Sequence, residues 1–139
     1  MEIIAYGNGL PDEAKKIREA VFVKEQGFQE EFDGEDGMAT HFLAWLDGVA
    51  VGTCRVYFHS QINGYLIGRI AVKKEFRGKK IGAEMLKEAV TFLKEKGARR
   101  VYLHAQVQAK PFYEKQGFLA FGDEDQDEGC PHIWMKKEL

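Results

Sequence analysis

The sequence predicts an α+β domain, and three local patterns carry that prediction. Asp47-Gly48 and Asn63-Gly64 each stand between two apolar segments of strand length, and such pairs favour hairpin turns because they tolerate positive φ. The third pattern spans residues 81–97, where apolar residues recur at helical spacing and Gly97 supplies a stop signal. Successive strands followed by a helix and further strands indicate one sheet with a helical crossover.

Local composition predicts the remaining elements. Residues 2–6 form a short strand, and Pro11 with two following acids marks the start of a helix over residues 11–23. Residues 27–40 are rich in glycine and acids, which predicts a loop, or a short helix flanked by loops. The other predicted elements are a short helix at 110–117 and strands at 41–46, 49–58, 65–72, 99–106, 118–122 and 131–137. No repeat or linker interrupts the pattern, so we expect one domain over residues 1–139.

Length and composition fit a packed globular protein. A chain of 139 residues can bury about two-thirds of its unfolded surface, and 45% of its residues are hydrophobic. No apolar run approaches the roughly 20 residues of a membrane span, and the N-terminal residues lack the pattern of a signal peptide. The two cysteines, Cys54 and Cys130, lie far apart without a C-x-x-C partner. We therefore expect a cytoplasmic protein with reduced thiols and no membrane partner.

Charge is distributed unevenly along the chain. Residues 24–36 hold six acids against one lysine, and residues 123–128 hold five acids and no base. Residues 69–80 hold six bases against one acid. Such separation suits a protein that handles an anionic ligand and a cationic one, although solvated surface segments would give the same pattern. Nucleic acid is not an expected partner, because the domain is net acidic and its aromatic residues do not interleave with the bases.

Several familiar catalytic and metal-binding motifs are absent. There is no G-x-x-x-x-G-K-[ST], G-x-G-x-x-G or G-x-S-x-G. Residues 123–129 imitate the start of an EF-hand loop, but the glycine is misplaced and the closing glutamate is missing. The histidines show neither H-E-x-x-H nor another metal-ligand spacing; they are His41, His59, His104 and His132. The sequence thus predicts no bound metal.

Residues 77–83 combine cations and glycines where a strand leads into a helix. A helix N-terminus leaves about four amide groups unpaired and carries roughly half a positive charge. Gly78 and Gly82 let an anion approach the backbone, and Arg77, Lys79 and Lys80 add mobile positive charge. This is the composition of a phosphate or pyrophosphate site, although R-G-K-K also occurs in plain surface turns.

A second segment, "FYEKQGF" at residues 112–118, favours the phosphate or pyrophosphate site over the plain surface turn. Together with "RGKKIG" upstream, and with the order of strands and helices, it resembles the GNAT family of N-acetyltransferases. The segments "AVFVKEQ", "DGED", "LIGRIAV", "LHAQ" and "GCPHIWM" narrow the resemblance to the ElaA-type subgroup. Lys80 and Gln106 depart from the general family pattern, where glycine and asparagine are common.

The resemblance implies a mostly antiparallel mixed sheet of six or seven strands, flanked by helices and with splayed central strands. It implies acetyl-CoA as cosubstrate, with the backbone of Ile70, Ala71 and Val72 along the pantetheine arm. The pyrophosphate would be held by Arg77, Gly78, Lys79, Lys80, Ile81, Gly82 and Ala83. Gln106 would also contact the coenzyme, and Tyr113 would be the general acid that protonates the departing thiolate.

The same resemblance implies acetyl transfer to a primary amine, of a small molecule or a peptide, by direct attack in a ternary complex. The base that accepts the amine proton is left open among Glu25, His41, His104, His132 and a water chain. The acidic segment from Glu25 to Asp36 is where an amine acceptor would be attracted. A non-catalytic acyl-CoA sensor is the alternative, and a homodimer through edge strands is possible within the family.

Overall fold

The computed structural model describes residues 1–28 and 33–139 and contains one seven-stranded sheet. The strands lie in the order β1-β2-β3-β4-β5-β7-β6. Their bounds are β1 Glu2–Tyr6, β2 Thr40–Leu46, β3 Val49–His59, β4 Gly64–Val72, β5 Arg100–Gln106, β6 Leu119–Asp127 and β7 Cys130–Glu138. All neighbours pair antiparallel except β4 and β5, which pair parallel across the α2 crossover. The predicted α+β class and mixed, mostly antiparallel sheet are confirmed.

In the part of the chain that the structure describes, three α-helices flank the sheet. They are α1 Asp12–Arg18, α2 Ile81–Glu95 and α3 Lys110–Lys115. The first continues as a π-helical segment over Glu19–Glu25, and short 3₁₀ turns occupy Gly34–Gly37, Lys74–Phe76 and Val107–Ala109. Among the described residues, no helix has the length and apolar character needed to cross a membrane.

The core lies on both faces of the sheet. The predicted apolar face of α2 packs against β2, β3 and β4, with five side chains fully covered: Ile81, Met85, Leu86, Ala89 and Leu93. On the opposite face, Ala14, Ile17 and Val21 pack against strand residues that include Leu43. Each large apolar side chain buried in this way stabilises the fold by about 1.5–3 kcal/mol, so both faces anchor the central strands.

The two predicted hairpins form, with one difference in detail. Asp47 and Gly48 both take positive φ (50° and 79°), as a two-residue turn requires. The second connection is longer than the predicted Asn63-Gly64 turn: it spans residues 60–63, and Gly64 already belongs to β4. Asn63 has φ 51° and its amide donates to the Ser60 carbonyl at 3.3 Å.

Strand β6 runs further than the sequence predicts. The predicted strand ends at residue 122, whereas β6 continues through the acidic segment to Asp127. Pairing with β7 supplies the backbone hydrogen bonds, and the outward-facing edge of the sheet leaves the acidic side chains exposed. The EF-hand-like segment therefore forms the end of β6 and the turn into β7.

Candidate active site

Strands β4 and β5 separate after a short paired stretch. Their parallel ladder contains only Tyr65↔Val101 and Leu66↔Tyr102, so the two strands diverge toward their C-terminal ends. A cavity of about 430 Å³ opens there. Ile70, His104, Gln106 and Tyr113, all singled out from the sequence, line it.

A bulge in β4 shapes one wall of the cavity. Pairing with β3 jumps from Thr53↔Ala71 to Arg55↔Gly68, which inserts one extra residue into β4. Arg69 lies in this bulge with φ 51°, a left-handed conformation that non-glycine residues seldom adopt. Such a bulge turns backbone groups out of the ladder at the mouth of the cavity. Sequence reasoning missed it, because it treats residues 65–72 as one uninterrupted strand.

The N-terminus of α2 has the geometry that residues 77–83 predict. Gly78 and Lys80 both take positive φ (82° and 64°), and the first α-helical bond runs from the Glu84 amide to the Lys80 carbonyl at 3.0 Å. The amides of the first helical turn therefore precede any intrahelical acceptor. A Cβ added to Gly82 would lie 3.6 Å from Phe112 Cζ, an ordinary contact, so this glycine is not required by packing alone.

Arg77 forms three hydrogen bonds within the protein. Its Nη1 and Nη2 donate to the two Glu25 carboxylate oxygens at 2.7 and 2.8 Å, and its Nε donates to the Val72 carbonyl at 2.9 Å. The hydrogen bond from Arg77 lowers the pKa of Glu25. Glu25 thus serves as a partner for a cation, which weakens its basicity.

Tyr113 reaches the cavity from α3. Its ring packs edge-on against Phe112 and Phe118, at centroid distances of 5.1 and 6.2 Å. Burial raises the pKa of Tyr113 well above its ordinary value, with a smaller contribution from Cys54. The phenol therefore stays protonated at neutral pH and can donate a hydrogen bond.

His104 lies on β5 within a group of polar and aromatic side chains. Its Nε2 is 2.7 Å from Asp125 Oδ1 on β6. Its ring stacks on Trp134 and lies at a tilt of 32° to the ring of His132, each at a centroid distance of 4.7 Å. The sheet order β5-β7-β6 brings these residues together, although they are far apart in sequence.

His41 has a different environment from His104. It is fully buried on β2, and its Nε2 lies 2.9 Å from the Asp36 carbonyl. Burial lowers the pKa of His41 and favours its neutral form. It is not among the residues that line the cavity.

A buried ion-pair network, which sequence reasoning missed, supports the wall of the cavity that the β4 bulge shapes. Arg18 contacts Asp36 through two hydrogen bonds of 2.7 and 3.0 Å, and Arg55 contacts both Asp36 and Asp33. Arg69 from the bulge also reaches Asp33, at 3.2 Å. A charged residue on the apolar face of α1 was the signal available in the sequence. Of the acidic segment, Glu30 and Glu31 lie outside the described residues.

Gln106, a predicted coenzyme contact at the end of β5, is hydrogen-bonded through both atoms of its side-chain amide. Its side-chain amide donates to Gln26 Oε1 at 2.9 Å and its carbonyl oxygen accepts from Gln108 at 2.5 Å. The first bond links the end of β5 to Gln26, the residue that follows the π-helical segment. Both Gln26 and Gln106 line the cavity.

Comparison with known proteins agrees with this architecture. The acetyltransferase (GNAT) domain family matches residues 10–139. ElaA of Escherichia coli is 31% identical over 129 residues, covering 89% of this chain and 84% of its own length. The uncharacterized N-acetyltransferase YjcF of Bacillus subtilis is 32% identical over 140 residues, covering 98% of each chain.

Solved structures give the same result. The crystal structure of Escherichia coli ElaA superposes with a TM-score of 0.88 at 27% identity, covering 99% of this chain and 100% of that one. An acyl-CoA N-acyltransferase from Pseudomonas aeruginosa has a TM-score of 0.85 at 26% identity, with 99% of each chain covered. An aminoglycoside 6′-N-acetyltransferase complexed with coenzyme A shares the fold at 16% identity and a TM-score of 0.74, with 99% of this chain and 97% of that one covered. By sequence and by fold, this chain belongs to the GNAT acetyltransferase family.

Proposed function

We propose that this protein transfers an acetyl group from acetyl-CoA to a primary amine by direct attack in a ternary complex. The observation that carries the proposal is the cavity where β4 and β5 diverge, because it is lined by both Tyr113 and His104. Holding both reactants in one cavity would supply proximity, which can contribute several kcal/mol to lowering the barrier.

The N-terminus of α2 fits a pyrophosphate group. Amides of the first helical turn supply donors, Gly78 leaves open space above the backbone, and Lys79 and Lys80 are exposed cations. Backbone groups of Ile70, Ala71 and Val72, next to the β4 bulge, would bind the pantetheine arm and polarise the thioester carbonyl. A fixed amide at a developing oxyanion is worth about 3–4 kcal/mol of barrier.

Tyr113 and His104 take the two proton-transfer roles in this proposal. Tyr113 is protonated at neutral pH and donates a hydrogen bond to the thiolate as it departs. His104 is the favoured base, since it lines the cavity and contacts Asp125. A carboxylate in that position orients the ring and stabilises the imidazolium, as in other His–carboxylate pairs. Glu25 is engaged by Arg77 and His41 is buried outside the cavity, so both are weaker candidates.

The acceptor in this proposal is a cationic amine. Among the described residues, the acids that line the cavity are Asp33, Asp127 and Glu128. Asp33 forms ion pairs with Arg55 and Arg69, whereas Asp127 and Glu128 lie at the end of β6 and in the turn that follows it. Carboxylates there would raise the local concentration of a protonated amine and orient it.

Calorimetry with acetyl-CoA tests the coenzyme site. We expect wild type to bind and Gly82→Glu to lose binding, because a carboxylate there would repel the pyrophosphate. Gly82→Ala is the matched control: it adds only an ordinary contact to Phe112, so it should remain folded and retain most of the affinity. Absence of binding by folded wild-type protein would overturn the proposal.

Turnover with a panel of primary amines tests the chemistry. Tyr113→Phe and His104→Gln should each lower kcat by about 10²–10⁴-fold, with acetyl-CoA affinity close to that of wild type. If wild type bound acetyl-CoA but acetylated no amine in the panel, the protein would instead be a sensor of acyl-CoA.

A further inference from the structure

We propose that His104, His132 and Asp127 form a binding site for a divalent transition-metal ion of the zinc class. The site lies in the wall of the cavity, which all three residues line. One ligand atom from each residue lies within 4.8 Å of the other two. Two imidazole nitrogens and one carboxylate oxygen form a donor set that zinc and its neighbours in the first transition series prefer.

The sheet register explains how three distant residues meet. His132 on β7 lies between Gln106 of β5 and Asp125 of β6. His104 lies one diagonal position away on β5, and Asp127 lies near the end of β6, next to the turn that leads into β7. The three ligands therefore come from three adjacent strands. His104 and His132 lie within paired strands, and Asp127 lies at the end of its strand. No sequence motif would reveal this set, because its spacing is set by strand pairing.

Both histidines already have the partners that metal-ligating histidines usually have. His104 Nε2 contacts the Asp125 carboxylate at 2.7 Å, and His132 Nδ1 contacts the Cys130 carbonyl at 2.8 Å. Such contacts occupy one ring nitrogen, fix the tautomer and leave a lone pair on the other nitrogen. The presence of two histidines, each with one ring nitrogen already bonded to an oxygen of the protein, distinguishes the cluster from a group of surface acids.

The ligand atoms, which lie within 4.8 Å of one another, must move closer together when a metal ion binds. With bonds of about 2.0–2.1 Å, the ligand atoms around a tetrahedral zinc ion lie roughly 3.3 Å apart. Asp127 can supply most of the contraction because its side chain is exposed and it adjoins the turn at Glu128-Gly129, whereas His132 is 5% exposed and fixed. Three protein ligands leave a fourth position open toward the cavity, as in sites that bind water or a substrate.

The site has a consequence for the reaction that rests on the proposed function. His104 is the proposed base, and a metal ion bound to its ring would take the lone pair that the amine proton needs. Zinc should therefore inhibit acetyl transfer, with inhibition relieved by a chelator. Metal binding itself does not depend on this reaction and can be measured without coenzyme or acceptor.

Calorimetry of the chelator-treated protein with ZnCl₂ tests the site directly. We expect one-to-one binding by wild type, and visible ligand-field absorption when CoCl₂ replaces zinc. Asp127→Asn and His132→Gln should each lower zinc affinity at least tenfold. Asp125→Asn should lower it by about 10–100-fold, the usual effect of removing a carboxylate that orients a ligating histidine.

His59→Gln is the matched control, because His59 lines the same cavity but lies outside the cluster. It should bind zinc as wild type does. Circular dichroism and thermal unfolding of each apo variant would establish that the variants fold, and zinc should raise the Tm of wild type but not of Asp127→Asn. Absence of zinc binding by wild type, or equal losses in His59→Gln and His132→Gln, would overturn the proposal.

Discussion

Two arginines of this protein make nearly identical contacts in very different surroundings. Arg18 contacts Asp36 at 2.7 and 3.0 Å, and Arg77 contacts Glu25 at 2.7 and 2.8 Å. The Arg18 and Asp36 side chains are 1% and 10% exposed, whereas those of Arg77 and Glu25 are 40% and 36% exposed. Each pair joins the first helical region to another part of the chain, so the geometry alone does not distinguish them.

Exposure to solvent determines how much each pair contributes to stability. Breaking a buried pair leaves an uncompensated charge away from water and costs about 3–5 kcal/mol, whereas exposed pairs are worth about 0–1 kcal/mol. Asp36 also contacts Arg55, so the buried pair is part of a network that supports the cavity wall. The exposed pair can be broken at little cost, which suits an arginine predicted to lie at a pyrophosphate site.

The largest expected effect comes from breaking the buried pair. Asp36→Asn should lower the free energy of unfolding by about 3–5 kcal/mol, since Arg18 and Arg55 both lose a carboxylate. Urea denaturation monitored by circular dichroism measures the difference. A loss below about 1 kcal/mol would mean that the buried network resembles the exposed pair energetically.

Lowering the pH should weaken the same network, with a smaller loss of stability than Asp36→Asn causes. Burial alone would raise the pKa of Asp33, but its hydrogen bond and charge interaction with Arg55 lower that pKa to about 2. The stabilisation is therefore fully present above the ordinary carboxyl range near pH 4, and it is lost as the pH falls toward 2. For Asp33 it amounts to less than about 2.5 kcal/mol, because the side chain is 32% exposed and solvent screens part of the interaction.

Denaturation from pH 7 to pH 2 checks this prediction. Wild type should lose more stability between pH 4 and pH 2 than Asp33→Asn does, because the variant has no carboxylate to protonate at that position. Parallel curves for the two proteins across this window would contradict the assignment of the low pKa to Asp33.

Sequence reasoning succeeded where the signal is local. The hairpin at Asp47-Gly48, the apolar face of α2 and the glycine-rich turn before it all depend on residues a few positions apart. The buried network could not be predicted in the same way. Its paired residues are 18 to 36 residues apart, and their pairing depends on how α1, the segment before β2, and strands β3 and β4 pack together.

In the candidate site too, the sequence indicates local features but not contacts between distant residues. Ile70, Gln106, His104 and Tyr113 line the cavity, although their chemical roles remain predictions. The sequence could not indicate that Arg77 and Glu25, which are 52 residues apart, would form a pair. Nor could it reveal the β4 bulge or the cluster around His132, because strand register determines both.

The smallest effect on stability should come from the exposed pair, and it should appear in ligand binding instead. Glu25→Gln should lower the free energy of unfolding by less than about 1 kcal/mol. If Arg77 contacts the pyrophosphate as predicted, removing its carboxylate partner should raise acetyl-CoA affinity by a few-fold, since binding no longer has to compete with Glu25. The gain should shrink at high salt, because an exposed charge interaction is screened. Calorimetry with acetyl-CoA on wild type and Glu25→Gln, at low and at high salt, tests this prediction. Equal affinities of the two proteins at both salt concentrations would mean that Arg77 stabilises the turn before α2 without contacting the coenzyme.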